Sequence, residues 1–94
     1  MKIVINTCYG GFSLSDAAIT MYCEAKNLNT KEFCEWEVPR NDATLISIVE
    51  KLGDSVNTGY SKLRIVEIPE DVNWTVEQYD GNEWVAEVHR TWRY

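Results

Sequence analysis

Positive charge is scarce in this chain. Nine Lys and Arg face fifteen Asp and Glu across 94 residues, leaving a formal net charge of −6. A general nucleic-acid backbone binder needs a basic footprint, and an anionic membrane surface repels such a chain. Neither partner is expected. No apolar run approaches the roughly 20 residues that cross a bilayer. Histidine occurs once, as His89, so neither HxH nor HExxH spacing is present. The cysteines Cys8, Cys23 and Cys34 are odd in number, form no CxxC and follow no signal segment. Reduced thiols and a cytoplasmic location are therefore expected. Residues 1–94 suffice for one domain with a modest core, and self-association into a homo-oligomer is expected of so small a chain with surplus aromatics. A basic protein partner, or a small anion held at one local positive spot, stays compatible with the charge.

What is present is a patterned α+β sequence. Residues 2–6 carry Ile3, Val4 and Ile5 and read as a buried strand. Gly10 and Gly11 make a loop, and Ser13 with Asp16 reads as a capping box. Leu14, Ala17, Ala18, Met21, Tyr22 and Ala25 recur at helical spacing up to Asn27. Residues 32–38, Glu-Phe-Cys-Glu-Trp-Glu-Val, alternate as a strand that Pro39 closes. Asp42 can cap a second helix through Leu45, Ile48, Val49 and Leu52, with Gly53 at its end; residues 44–49 would also suit a strand. Lys62–Ile68, Asn73–Tyr79 and Glu83–Trp92 complete the strands. The expectation is a mainly antiparallel sheet of about five strands with two helices packed on one face.

The last hairpin can be set in two registers. A two-residue Asp80-Gly81 turn pairs Val76 with Val85 but sets Trp84 opposite Glu77. A three-residue loop through Asn82 gathers Trp74, Val76, Trp84, Ala86 and Val88 on one face. Thr75, Glu77, Glu83, Glu87 and His89 then share the other. The second register separates apolar from charged residues better and is preferred on that ground.

Two segments carry candidate chemistry. The strand–Gly-Gly–helix opening offers Asn6, Thr7, Ser13 and Ser15 as short polar groups, while Gly10 and Gly11 admit close backbone approach. A helix start nearby would favour an anion. The segment is neither a Walker A loop nor a dinucleotide fingerprint, and its plainer reading is a tight turn with capping serines. Near the other end, no Lys or Arg occurs from Glu67 through Val88, and Arg90 and Arg93 break that stretch. Arg90 could clamp a phosphate with Tyr9 or Trp92 stacking on a base. Its plainer reading is an ion pair beside a core Trp92. The ligand-binding candidates are thus Thr7, Tyr9, Gly10, Gly11, Ser13, Arg90 and Trp92. Glu77, Glu83, Glu87 and His89 form a candidate acidic protein interface that would steer toward a basic surface. A divalent ion beside Glu87 and His89 would have too few imidazoles in pattern, so no metal and no cofactor is expected. Cys8 with His89 lacks an orienting third group, so no catalytic set is assigned.

Four blocks carry a resemblance. They are Met1-Lys-Ile-Val-Ile-Asn-Thr-Cys-Tyr-Gly-Gly-Phe-Ser-Leu-Ser, Val66-Glu-Ile-Pro-Glu-Asp-Val, Glu77-Gln-Tyr-Asp-Gly-Asn-Glu-Trp and Glu87-Val-His-Arg-Thr-Trp. In content and order they resemble a family of small, functionally uncharacterised phage and prophage proteins. The resemblance implies a phage-encoded or prophage-encoded accessory protein in the bacterial cytoplasm. It brings no catalytic residues. The expected function is binding of a host protein without catalysis; the alternative is a module for a nucleotide-like or phosphate-containing small molecule.

Overall fold

The computed structural model describes residues 1–87. In chain order these form strand β1 (Lys2–Asn6), helix α1 (Asp16–Lys26), a 3₁₀ turn (Glu35–Glu37), helix α2 (Ala43–Leu52) and a second 3₁₀ turn (Gly53–Val56). Strands β2 (Leu63–Glu67), β3 (Trp74–Tyr79) and β4 (Asn82–Glu87) follow. The α+β class stands. The described strands number four, not five, and they make two antiparallel ladders, β1–β2 and β3–β4. Helix α2 lies on β1 and β2, and α1 packs on α2.

Each helix forms where its caps and periodicity place it. Ser15, not Ser13, begins α1: its Oγ accepts from the Ala18 N–H at 3.3 Å. Asn27 ends that helix in the left-handed region at φ 58°, which lets the Leu28 N–H reach the Cys23 carbonyl at 2.8 Å. Asp42 caps α2 through the Thr44 and Leu45 N–H groups at 2.7 and 3.2 Å. Leu45, Ile48 and Val49 then project into the core, so residues 44–49 are helix. They meet Leu14, Ala18 and Tyr22 of the α1 segment, Val4 of β1 and Leu63 of β2, with Val38 and Val56 closing the ends. Full burial of each larger aliphatic side chain stabilises the domain by about 1.5–3 kcal/mol.

The segment expected as a strand over residues 32–38 is a correction. Glu37 donates its N–H to the Cys34 carbonyl, and Val38 donates to Glu35, which closes a 3₁₀ turn. The physical reason lies at β1. The edge of β1 that faces away from β2 is one place where such a strand could pair. That edge is already taken: the Val4 N–H donates to the Arg40 carbonyl at 2.8 Å, and the Asn6 N–H donates to Glu83 Oε1 at 2.7 Å. On that edge of β1, period-two spacing in residues 32–38 had no partner to pair with.

The hairpin is the second correction. Val76 pairs with Val85, Glu77 with Trp84, and Tyr79 with Asn82. The turn has two residues, Asp80 at φ 50° and Gly81 at φ 91°, both in the positive region that a type I′ turn requires. Turn geometry outweighs the neater separation of side chains. Glu83 is thereby placed on the face opposite Glu77.

Asp42 also binds the two helices together. Its second carboxylate oxygen accepts from the Tyr22 hydroxyl at 3.1 Å and lies 3.5 Å from Lys26 Nζ. Burial alone would raise its pKa. The Leu45 and Thr44 amides, the Tyr22 hydroxyl and Lys26 outweigh burial and hold the group below its usual 3.8. A depressed folded-state pKa stabilises the fold above the unfolded value, and that contribution fades as pH falls through the folded value. Asp42→Asn keeps a capping amide but loses the charge. It should cost about 1 kcal/mol near neutrality, and the gap to the wild type should close in melting curves taken below about pH 4.

Candidate functional site

The densest polar cluster is buried between β1, Arg40 and β4. Glu83 is only 8% exposed, and both of its oxygens accept from the Arg40 guanidinium, Nη2 donating to Oε2 at 2.8 Å and Nη1 donating to Oε1. Glu83 Oε1 also takes the Asn6 N–H. The Arg40 guanidinium carbon lies 3.8 Å from the Phe12 ring centroid, so its planar face is stacked as well as paired. Next to it, the fully buried Asn6 amide makes four bonds. Nδ2 donates to the Cys8 and Gly81 carbonyls at 2.8 and 2.7 Å, while Oδ1 accepts from the Lys62 and Cys8 N–H groups at 2.8 and 3.3 Å. One side chain thus joins the Gly-Gly loop, the start of β2 and the β3–β4 turn.

The Gly-Gly loop is packed against that turn. Gly10 donates its N–H to the Asp80 carbonyl at 3.1 Å. A Cβ at Gly81 would overlap the backbone of Gly10 and Gly11, and one at Gly10 would overlap the Tyr60 carbonyl. The close backbone approach expected for a ligand is occupied by the protein itself. Thr7 Oγ1 donates to the Lys62 carbonyl at 2.9 Å. Ser13 Oγ and Thr58 Oγ1 share a hydrogen bond of 2.7 Å, and Ser61 Oγ donates to the Ser13 carbonyl at 2.9 Å. Just before α1 the Leu14 N–H already meets a carboxylate, Glu35 Oε2 at 2.9 Å. Thr7, Tyr9, Gly10 and Gly11 therefore do lie in one loop, and Ser13 is tied instead to Thr58 and Ser61.

The acidic constellation is divided. Glu77 is exposed on one face of the hairpin, and Glu87, also exposed, follows Glu83 on the other. Glu83 is not part of a solvated acidic face: the two-residue turn and Arg40 draw it inward. Arg90, Trp92 and His89 lie outside the described residues, as do the expected convergence of Arg90 on the Gly-Gly loop and the continuation of the last strand. Among the described residues, no group of three or more His, Cys, Asp or Glu is placed to hold a metal ion. No described helix is long and apolar enough to cross a membrane.

Residue types alone did not single out Arg40, because it sits in a short polar connection. The Asp80-Gly81 pair was the available signal, since a type I′ turn sends Glu83 and Glu77 to opposite faces. Of the exposed tyrosines, Tyr9 was a sequence candidate, whereas Tyr60 and Tyr79 were unmarked by pattern. Tyr9, Tyr60 and Tyr79 are 66%, 73% and 68% exposed, and all three flank the contact between Gly10 and the hairpin turn. Trp84 is 46% exposed on the same hairpin face as Tyr79 and directly across from Glu77. Shallow hollows lie elsewhere. Two of about 260 and 270 Å³ flank Phe33 and Cys34, and one of about 390 Å³ lies between Met21, Ile48 and Lys51.

Comparison of the chain with family models, with curated proteins and with solved structures gives no match. The small α+β domain and the geometry of its two ladders are what define it.

Breaking one side of a buried ion pair leaves an unpaired charge, which costs about 3–5 kcal/mol. Glu83→Ala should lower unfolding free energy in urea by that amount, whereas the double change Glu83→Leu with Arg40→Met should recover only part of it, because the Asn6 N–H stays without its acceptor. Gly81→Ala should also destabilise, by about 1–3 kcal/mol, because the left-handed backbone and the contact with Gly10–Gly11 both resist a Cβ; thermal unfolding measures it.

Proposed function

We propose that this chain works by binding another protein, without turnover, through the outer face of the β3–β4 hairpin. One observation carries the reading: Trp84 and Tyr79 stand exposed on the same face as Glu77, which lies directly across from Trp84. Aromatic side chains supply large contact area at low entropy cost, and Trp and Tyr dominate the energetics of many interfaces. The carboxylate adds steering. From Glu67 through Val88 there is no Lys or Arg to offset it, so a basic patch on the partner is the complementary surface.

The family resemblance of the opening and hairpin blocks fits this reading. On it, the protein is a phage or prophage accessory factor that engages a host protein in the bacterial cytoplasm, with a homo-oligomer as its working form. The nucleotide-like alternative draws less support, since Gly10 and Gly11 serve the hairpin turn and Glu35 meets the Leu14 N–H.

The test is quantitative capture of bacterial proteins on immobilised wild type and on Trp84→Ala and Glu77→Lys. Each variant should retain at least tenfold less of the principal captured protein while unfolding within about 1 kcal/mol of the wild type, as surface changes do. An unchanged captured set across all three proteins would refute the proposed face.

A further inference from the structure

The β3–β4 ladder is two strands wide, and its two edges differ. The β4 side approaches β1, with Glu83 reaching across to the Asn6 N–H. The β3 side pairs with nothing among the described residues. In a two-residue hairpin the residues flanking the turn form a narrow hydrogen-bonded pair, here Tyr79 and Asn82. Alternation then directs the backbone of Thr75, Glu77 and Tyr79 toward β4. The backbone N–H and C=O groups of Trp74, Val76 and Gln78 point outward.

Proteins blunt such edges with Lys, Pro, bulges or very short strands. β3 reads Trp-Thr-Val-Glu-Gln-Tyr over six residues, and its register with β4 runs without a bulge. Apart from the charge of Glu77, no such guard is present. The side chains along the edge are unequal. Trp74 and Val76 are half-buried on the face that Glu83 shares, whereas Thr75 and Glu77 are exposed on the other. An edge of this kind offers a backbone template, an apolar row and a single negative position.

We propose that β3 receives its partner as an added strand: an extended segment with apolar side chains toward Trp74 and Val76, and a Lys or Arg toward Glu77. The inference rests on the protein-binding reading above and names its mode. Main-chain hydrogen bonds to Val76 and Gln78 supply attachment, and the alternate side chains supply selection. Charge decides between occupants. A second copy could pair β3 with β3 about Val76, setting Thr75 against Glu77 of the other copy. It would also bring together two chains of net charge −6. A basic segment gains from the same field that a second copy works against.

The experiment uses the full chain and three synthetic peptides. The first alternates Lys and Val over eight residues, the second replaces Lys by Glu, and the third is the Lys peptide methylated at the backbone nitrogens on its pairing edge. The readout is amide hydrogen exchange by NMR. The Lys peptide should slow exchange at Val76 and Gln78 at least tenfold and leave Glu77 and Tyr79, already bonded within the hairpin, unchanged. The Glu peptide and the methylated peptide should do neither. Val76→Pro removes one outward donor without touching the β3–β4 bonds and should abolish the effect, and Glu77→Lys should reduce affinity for the Lys peptide at least tenfold. No slowing by the Lys peptide overturns the proposal, as does slowing that survives methylation. Slowing at Val76 that depends on protein concentration without peptide assigns the edge to a second copy and overturns it too. Binding of the Lys peptide that is sensitive to Trp84→Ala but leaves Val76 and Gln78 exchange unchanged defeats strand addition alone. In that case the hairpin face remains a protein-binding surface.

Discussion

The ion pair between Arg40 and Glu83 sits at the seam where the two ladders meet and fills the open edge of β1. Glu83 belongs to β4, Arg40 to the connection before α2, and both meet at the edge of β1. In effect a carboxylate and a carbonyl occupy the place of a third strand. The Val4 and Asn6 N–H groups need acceptors there, because buried donors left unpaired cost as much as a lost hydrogen bond or more. Arg40 meets this need twice, once by its own carbonyl and once by orienting Glu83. Its face stacks on Phe12, so the loop after Gly11 is positioned by the same side chain.

Asn6 extends this junction. Its amide is saturated by four backbone partners from three segments, a degree of constraint that suits a joint between loops. The loop hydroxyls of Thr7 and Ser13, taken alone, are the short polar groups that could cradle an anion. In the folded chain Thr7 Oγ1 donates to the Lys62 carbonyl, and Ser13 Oγ shares a hydrogen bond with Thr58 Oγ1 instead. A Gly-Gly segment admits close approach by any backbone, and here the backbone is that of the Asp80-Gly81 turn. The same packing leaves Tyr9, Tyr60 and Tyr79 around its rim, facing solvent. Internal satisfaction of the polar groups and exposure of the aromatic ones are two consequences of one contact.

Much of the fold was legible because it rests on local rules. The β-branched run of β1, the apolar spacing of α1 and α2, Asn27 and Gly53 at the helix ends and Asp42 as a cap all follow from side-chain period and backbone preference. The Asp80-Gly81 turn was legible too, although the cleaner separation of apolar and charged residues argued for a different register. That argument took the hairpin to have one wet face and one dry face. It could not include Arg40, which is 43 residues away in sequence from the Glu83 it pairs with. Of the candidate site, Thr7, Tyr9, Gly10 and Gly11 were correctly grouped in one loop, since neighbours in sequence must be neighbours in space. Their partners were not legible.

By itself the sequence determined an acidic α+β chain with two capped helices, a Gly-Gly loop and a tight final hairpin. Composition, period and turn chemistry act within a few residues, so they can be read without a fold. Only the tertiary structure decided which strand edges were filled, and by what. The alternation in residues 32–38 is a genuine strand pattern, but a strand requires a neighbour, and at the outer edge of β1 Arg40 and Glu83 stand in its place. Whether Glu83 faces solvent or the interior likewise depends on a charge brought from elsewhere in the chain. Pairing is a property of two segments, and long-range contacts alone choose the second.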